Sequence, residues 1–264
     1  MHDQRRWVSW WPWITIAIII LMCFSADMLV RHDPLDLVSD PLQPPQWSNL
    51  LGTDSLGRDV FTRLLWGGRY TLVVATASAG IATVAGLLSG IVLGWSPKFV
   101  SGAGLIILNA ILAVPGLVIA LVIITLMGQS QHATIVAVAA AQIPQVALVI
   151  RGAVLAARSA PFILGARAIG ATERRILHHH ILRHIGPVVL AQAGVTFSFC
   201  MLNAAALSFL GLGELGVPDW GTMVAEGRGV LREAPWVSFF PGLVLTVTVI
   251  SVNALVDRIT QRRA

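Results

Sequence analysis

The chain has 264 residues, 56% of them hydrophobic and only 12% charged, with a formal net charge of +5 and a mean hydropathy of +0.77. Soluble domains carry about 25% charged residues, so composition excludes an ordinary soluble fold and makes lipid the solvent for most of the chain. Crossing a hydrocarbon core of ~30 Å takes a helix of about 20 apolar residues. Six such runs can be placed, at about 11–30, 70–95, 103–127, 132–150, 187–210 and 237–257. None alternates polar and apolar residues as a membrane-spanning strand does. The prediction is an all-α polytopic membrane protein of about six transmembrane helices.

The first run resembles a signal peptide, because Arg5 and Arg6 precede an apolar core ending in Cys-Phe-Ser-Ala-Asp. A lipoprotein site needs a small residue before Cys23, and Met22 is not small. Trp10, Trp11 and Trp13 make an interfacial belt, so a retained anchor is predicted. Cys23 and Cys200 both fall within spans and imply neither a disulfide framework nor a zinc site.

Residues 31–69 follow, beginning with HDPLDLVSDPLQPPQW, where Pro34, Pro41, Pro44 and Pro45 forbid a helix. In LGTDSLGRDVFTRLLWGGR, Val60, Phe61, Leu64 and Leu65 form a short amphipathic stripe. It predicts a helix on the outer surface leading into the second span. Residues 1–69 are expected to form an anchor helix and extracytoplasmic loop, and 70–264 the core membrane domain. Within that domain Ala82, Gly86, Gly90 and Gly94 stand four residues apart, offering one face for close helix approach. Pro115 and Pro144 interrupt the third and fourth spans. Freed carbonyls there need neighbours or a watery cavity, so packing kinks and a polar pathway both remain open.

Between the fourth and fifth spans lies the segment at about 152–186, which includes ARAIGATERRILHHHILRHIGP with four Arg, four His and one Glu. Ile176, Leu177, Ile181 and Leu182 give a helix at about 172–183 an apolar stripe, while Arg174, Arg175, His178 and Arg183 keep the rest wet. Gly170, Ala171 and Thr172 end the preceding helix and cap this one. Such a helix suits a groove on a cytoplasmic protein, or alternatively an anionic lipid surface. Residues 211–236 form the second long outer connection, rich in Gly and Pro.

Orientation follows from the basic residues. Six helices place Arg5, Arg6, Lys98, the basic residues from Arg151 to Arg183, Arg258, Arg262 and Arg263 on one side. That side holds 12 Lys/Arg against the three acids Asp3, Glu173 and Asp257, while the other holds six Arg against ten acids. Both termini are therefore expected in the cytoplasm, and the basic pI reflects topology, with no nucleic acid implied. Asp27 and Asp257 lie near helix ends, and no other acid falls within a span. Proton-coupled carriers depend on such groups, which argues against a self-powered carrier.

No catalytic residues are predicted. A phosphate-binding G-x-x-x-x-G-K-[ST] loop needs its lysine, and the single lysine, Lys98, sits in WSPKF. Neither G-x-S-x-G nor H-E-x-x-H occurs. The run His178-His179-His180 suggests metal, but consecutive helical residues point about 100° apart and do not reach one ion together. No metal ligand is assigned.

Three blocks carry a resemblance. Gly165 to Ala171 is similar to the Ala-Ala-Arg-Ala-Leu-Gly-Ala core of the EAA loop, and His180, Ile181 and Leu182 to the His-Ile-Leu that follows it. LGTDSLGRDVFTRLLWGGR and LSFLGLGELGVPDWGTM, followed by PWVSFFPGLVL and VNALVDR, extend the likeness from about residue 50 to the end. The chain thus resembles the inner-membrane permeases of binding-protein-dependent ABC importers of the dipeptide, oligopeptide and nickel group. That resemblance implies a type I importer fold in a bacterial inner membrane. It also implies a second homologous permease, two cytoplasmic ATPase subunits that hold ATP and Mg, and an extracytoplasmic solute-binding protein; this chain would bind no cofactor itself. Carried onto this sequence, the ATPase-coupling loop comprises Gly165, Ala166, Arg167, Gly170, Ala171, Glu173, Arg174, Ile176, Leu177 and Ile181. Candidates facing the binding protein are Asp54, Arg58, Asp59, Glu214, Asp219 and Trp220. Leu164 stands at the motif's Glu, Arg183 at its usual Pro, and Ala204 at a common Glu. These departures lean toward metal or metal-chelate cargo and leave short peptides open. A membrane scaffold and a secondary carrier are the competing classes.

Overall fold

A computed structural model describes residues 10–30 and 32–261. Arg5, Arg6, Asp3, Arg31, Arg262 and Arg263 lie outside the described residues, so the charge count at the termini rests on sequence alone. The helices are α1 (Trp11–Phe24), α2 (Ala26–Leu29), α3 (Val60–Trp95), α4 (Lys98–Leu112), α5 (Gly116–Met127) and α6 (Gln131–Arg158). They continue with α7 (Pro161–Ala168), α8 (Glu173–Arg175), a π-helical turn (Ile176–Ile181), α9 (Leu182–Phe209), α10 (Trp220–Arg228) and α11 (Trp236–Gln261). Three isolated bridges, Leu37 with Arg58, Gln46 with Asn49 and Thr53 with Asp59, shape the outer loop.

The expected count of six spans is not confirmed. Among the described residues, four helical segments are long and apolar enough to cross a membrane, and α4 with α5 makes a fifth only if the pair counts as one span despite an 81° bend. The first run divides at Ser25 into α1 of 14 residues and the short α2. At 1.5 Å per residue α1 reaches only about 21 Å. Arg69 ties its end to α3, donating to the Asp27 carboxylate at 2.6 Å and to the Phe24 carbonyl at 3.0 Å.

The outer amphipathic helix and the second span are one continuous α3, which runs across the expected boundary at 69/70. Its small-residue face packs on α6 as predicted. A Cβ at Gly86 would stand 2.5 Å from Val146 Cβ, and one at Gly90 would stand 2.7 Å from the Ala147 carbonyl. The two prolines behave differently. Pro115 separates α4 from α5, whereas Pro144 is buried inside an unbroken α6.

Three apolar clusters hold the bundle. Toward the outer loops, Cys23, Val60, Leu64, Met201, Trp220, Met223 and Val237 join α1, α3, α9, α10 and α11. A second joins α3, α5, α6 and α9 through Val74, Ile124, Ala137 and Leu207. The third, with Val146, Ile150, Val154, Ile163, Ile176, Ile181 and Ile185, fastens the basic segment to α6 and α9.

Candidate functional site

The basic segment begins with α7, where Pro161 takes a first-turn position that needs no N–H donor. Ile163 and Ala166 are buried, while Phe162, Leu164 and Ile169 remain exposed at 44%, 57% and 88%. Gly170 ends α7 with φ +85°. Its N–H donates to the Arg167 carbonyl, and that of Ala171 donates to the Ala166 carbonyl, both at 3.0 Å. This pairing of a left-handed glycine with two back-directed N–H groups is a Schellman cap. Across the turn Arg167 grips Glu173 with both arms, at 2.8 and 3.1 Å. The pair is too exposed to contribute more than about 1 kcal/mol, but it aligns α7 with α8. Thr172 accepts from the Arg175 N–H at 3.4 Å, the N-cap expected from sequence.

The apolar stripe has a different use from the one the sequence suggested. Ile176 and Ile181 are fully buried within the chain's own third cluster. In a π-helix the hydrogen bonds span five residues, so residues five apart approach the same side. That turn points both isoleucines inward and leaves His178 and His179 exposed. Leu177 is half-buried, and Arg174 lies exposed. Apolar surface free for a partner is therefore on Phe162, Leu164 and Ile169. Periodicity missed it because α7 is short and its buried face is set by the π-helical turn and the third cluster. Among the described residues no three His, Cys, Asp or Glu side chains are grouped to hold a metal.

No Cβ contact within 4 Å awaits a side chain at Gly170, so a substitution there meets backbone strain alone. Gly170→Val is expected to loosen the α7 cap, since a β-branched residue disfavours positive φ, whereas Gly170→Asn is tolerated. Hydrogen exchange across residues 161–176 should quicken in the first variant and stay near wild type in the second.

At the end of the bundle opposite the basic segment, the blocks around residues 51–69 and 207–223 meet in space. Asp59 caps α3 by accepting from the Thr62 N–H at 2.8 Å. Asp54 is buried and accepts from the N–H groups of Leu56 and Arg58, the Arg58 side chain at 2.7 Å, and Arg63. Burial alone would push its carboxyl up. The hydrogen bonds from Arg58 and Leu56 and the charge of Arg63 outweigh burial and hold it below the usual carboxylate range. Arg58 and Arg63 also reach Glu226 on α10. Asp219 caps α10 through the Gly221 and Thr222 N–H groups, at 2.8 and 3.1 Å; there burial prevails and its carboxyl lies above the usual range. Trp220 is fully buried, donating from its indole to the Leu64 carbonyl at 2.9 Å and from its N–H to Thr71 at 3.2 Å.

Of the six outer candidates, Asp54, Asp219 and Trp220 are buried, and Arg58, Asp59 and Glu214 are half-buried. They brace the outer loops rather than offer open contact surface. Glu214 accepts from the Gln131 N–H at 3.1 Å, at the start of α6. Sequence reading missed Arg63 and Glu226, which complete the ionic cluster; a basic residue amid an apolar helix start hinted at the first, and nothing local pairs it with an acid 163 positions away.

A helical bundle with a sharply bent helix pair, an ionically braced loop cluster at one end and a basic segment fastened at the other defines a polytopic membrane protein. Residues 82–264 match the family of binding-protein-dependent transport system inner membrane components, and the chain belongs to that family. It is 32% identical to the di/tripeptide transport system permease protein DppC of Pseudomonas aeruginosa, over 92% of this chain and 82% of that one. It is 34% identical to the glutathione transport system permease protein GsiD of Pectobacterium atrosepticum, over 92% and 81%. A structure of the MetNI methionine ABC transporter in an inward-facing conformation shares the fold, with a TM-score of 0.66 at 20% identity over 76% of this chain and 96% of that one. The chain is a membrane-embedded permease subunit of an ABC importer.

Proposed function

We propose that this chain forms one half of the translocation pathway of an ATP-driven importer of short peptides. A second homologous permease supplies the other half, two cytoplasmic ATPase subunits dock at the basic segment, and an extracytoplasmic solute-binding protein delivers cargo to the outer face. ATP and Mg are held by the ATPases. The coupling loop at about 152–186 and cytoplasmic termini in a bacterial inner membrane belong to the same reading, the latter resting on the basic-residue count. The relatives' names, di/tripeptide and glutathione permeases, support peptide cargo over nickel or a metal chelate.

The observation that carries the coupling role is α7: a helix fastened to the bundle through Ile163 yet presenting Leu164 and Ile169 to the outside, amid exposed Arg174 and Arg175. Burying each apolar side chain in a partner's groove contributes about 1.5–3 kcal/mol. Leu164→Asp combined with Ile169→Asp is therefore expected to cut ATPase recovery with tagged permease at least tenfold, from membranes holding equal amounts of permease. Undiminished recovery would take the coupling role from this face and favour the lipid surface as its contact.

A further inference from the structure

A cavity of about 470 Å³ opens beside the break between α4 and α5. Its walls come from the apolar residues around Pro115, from Gln142 and Gln145 on α6, and from Phe199 and Asn203 on α9. The two glutamines stand near the middle of the 28-residue α6, and Asn203 stands less than two turns from the end of α9. All three amides thus lie inside membrane-crossing segments.

Several other polar side chains in the spans are satisfied within the fold, while the hydroxyls of Thr83 and Ser251 are enclosed by the chain itself, away from this cavity. Thr71, Ser89 and Thr248 donate to carbonyls four residues back. Gln192 donates to Thr196, and Ser198 to Asn253. Gln142, Gln145 and Asn203 make no side-chain hydrogen bond to any described residue. An amide carries two donors and an acceptor, and leaving them unmet in hydrocarbon is costly. Polar groups so placed face a watery cavity or a ligand. No charged side chain lines this cavity among the described residues.

We infer that Gln142, Gln145 and Asn203 form a cargo-recognition site that reads the main-chain amides of a passing peptide. This rests on the peptide-import reading above. A side-chain amide matches a peptide group donor for acceptor and acceptor for donor, so it recognises what every peptide has in common. With no charge in the lining, the site does not select among acidic, basic and neutral cargo side chains. Neutral hydrogen bonds exchange readily with water, which suits a pathway that must release what it binds. Phe199 supplies an apolar wall beside the amides.

The test uses the assembled importer, purified through this chain and reconstituted in proteoliposomes, with uptake of Ala-Ala, Lys-Ala and Asp-Ala measured. Gln145→Leu combined with Asn203→Leu is expected to lower uptake of all three at least tenfold, while ATPase subunits and second permease co-purify as in wild type. Gln145→Glu is expected to raise the Lys-Ala to Asp-Ala uptake ratio about tenfold from a wild-type ratio near one. Unchanged uptake by the double variant, or an unchanged ratio in Gln145→Glu, would overturn the site while wild-type peptide uptake leaves the import reading standing. Loss of co-purifying permease in step with uptake would overturn it too, making the amides an inter-subunit contact. Wild-type importer that carries no peptide would overturn the cargo reading, and the ligand named here with it.

Discussion

The Ile176→Asp variant is expected to accumulate in membranes at a small fraction of the wild-type amount. Ile176 is fully buried, packed with Ile163, Ile181 and Ile185 where the basic segment meets α6. The substitution removes about 1.5–3 kcal/mol of apolar burial. It also places a carboxyl where no donor awaits it, which costs a further 1–3 kcal/mol or so even if the group takes up a proton. Together these approach the whole stability of a typical domain, about 5–15 kcal/mol. Leu164→Asp with Ile169→Asp changes exposed positions, so its membrane level should match wild type. Quantitative immunoblots of membranes, with protease digestion of the basic segment, separate the two. If Ile176→Asp accumulated normally and lost only ATPase recovery, Ile176 would be a docking residue and the third cluster would be misassigned.

Much of the bundle was legible because membrane helices leave two plain marks, long apolar runs and small-residue faces. The four-residue spacing from Ala82 to Gly94 identified the surface on which α6 packs, since only small side chains let backbones come that close. Proline was a weaker guide. Pro115 is followed by Gly116, which adds freedom at the break, whereas Pro144 is enclosed within α6, and tertiary packing keeps that helix whole. The inward side of residues 176–181 was not legible. The sequence groups Ile176, Leu177, Ile181 and Leu182 on one stripe without saying what it meets, and the π-helical turn sets Ile176 and Ile181 into the chain's own third cluster while Leu177 stays half-buried. Gly170 was legible for a local reason: a helix stop followed by a capping threonine needs a left-handed residue, and its φ of +85° supplies one. The outer residues were legible as a group but not in their role, because burial of Asp54 and Asp219 depends on α10 folding back against α3.

Arg63→Ala should be the most destabilising change on the outer face, at about 3–5 kcal/mol, the cost of removing one partner from a buried ionic cluster. Arg63 is 3% exposed and holds both Asp54, 1% exposed, and Glu226, 35% exposed. Without it Asp54 keeps Arg58 and two backbone donors, but one buried negative charge loses its nearest cation, and α10 loses its ionic tie to the start of α3. Glu226→Ala should cost less, because its carboxylate is partly hydrated and Arg63 retains Asp54. Arg63→Lys should fall between, since an ammonium keeps the charge but not the two-armed grip on Glu226. Acidity extends the same comparison. Asp54 has a lowered folded pKa, so its contribution is present above the unfolded carboxylate value of about 3.9 and disappears as pH falls through the lowered value. Removing Arg63 raises that folded value, so the variant should lose its remaining outer-face stability at higher pH than wild type. Thermal unfolding midpoints of the purified chain in detergent, taken from neutral pH downward, measure both effects. An Arg63→Ala midpoint equal to wild type across that range would show that Arg58 alone suffices to hold Asp54 and Glu226, and that the joint between α3 and α10 rests on Trp220.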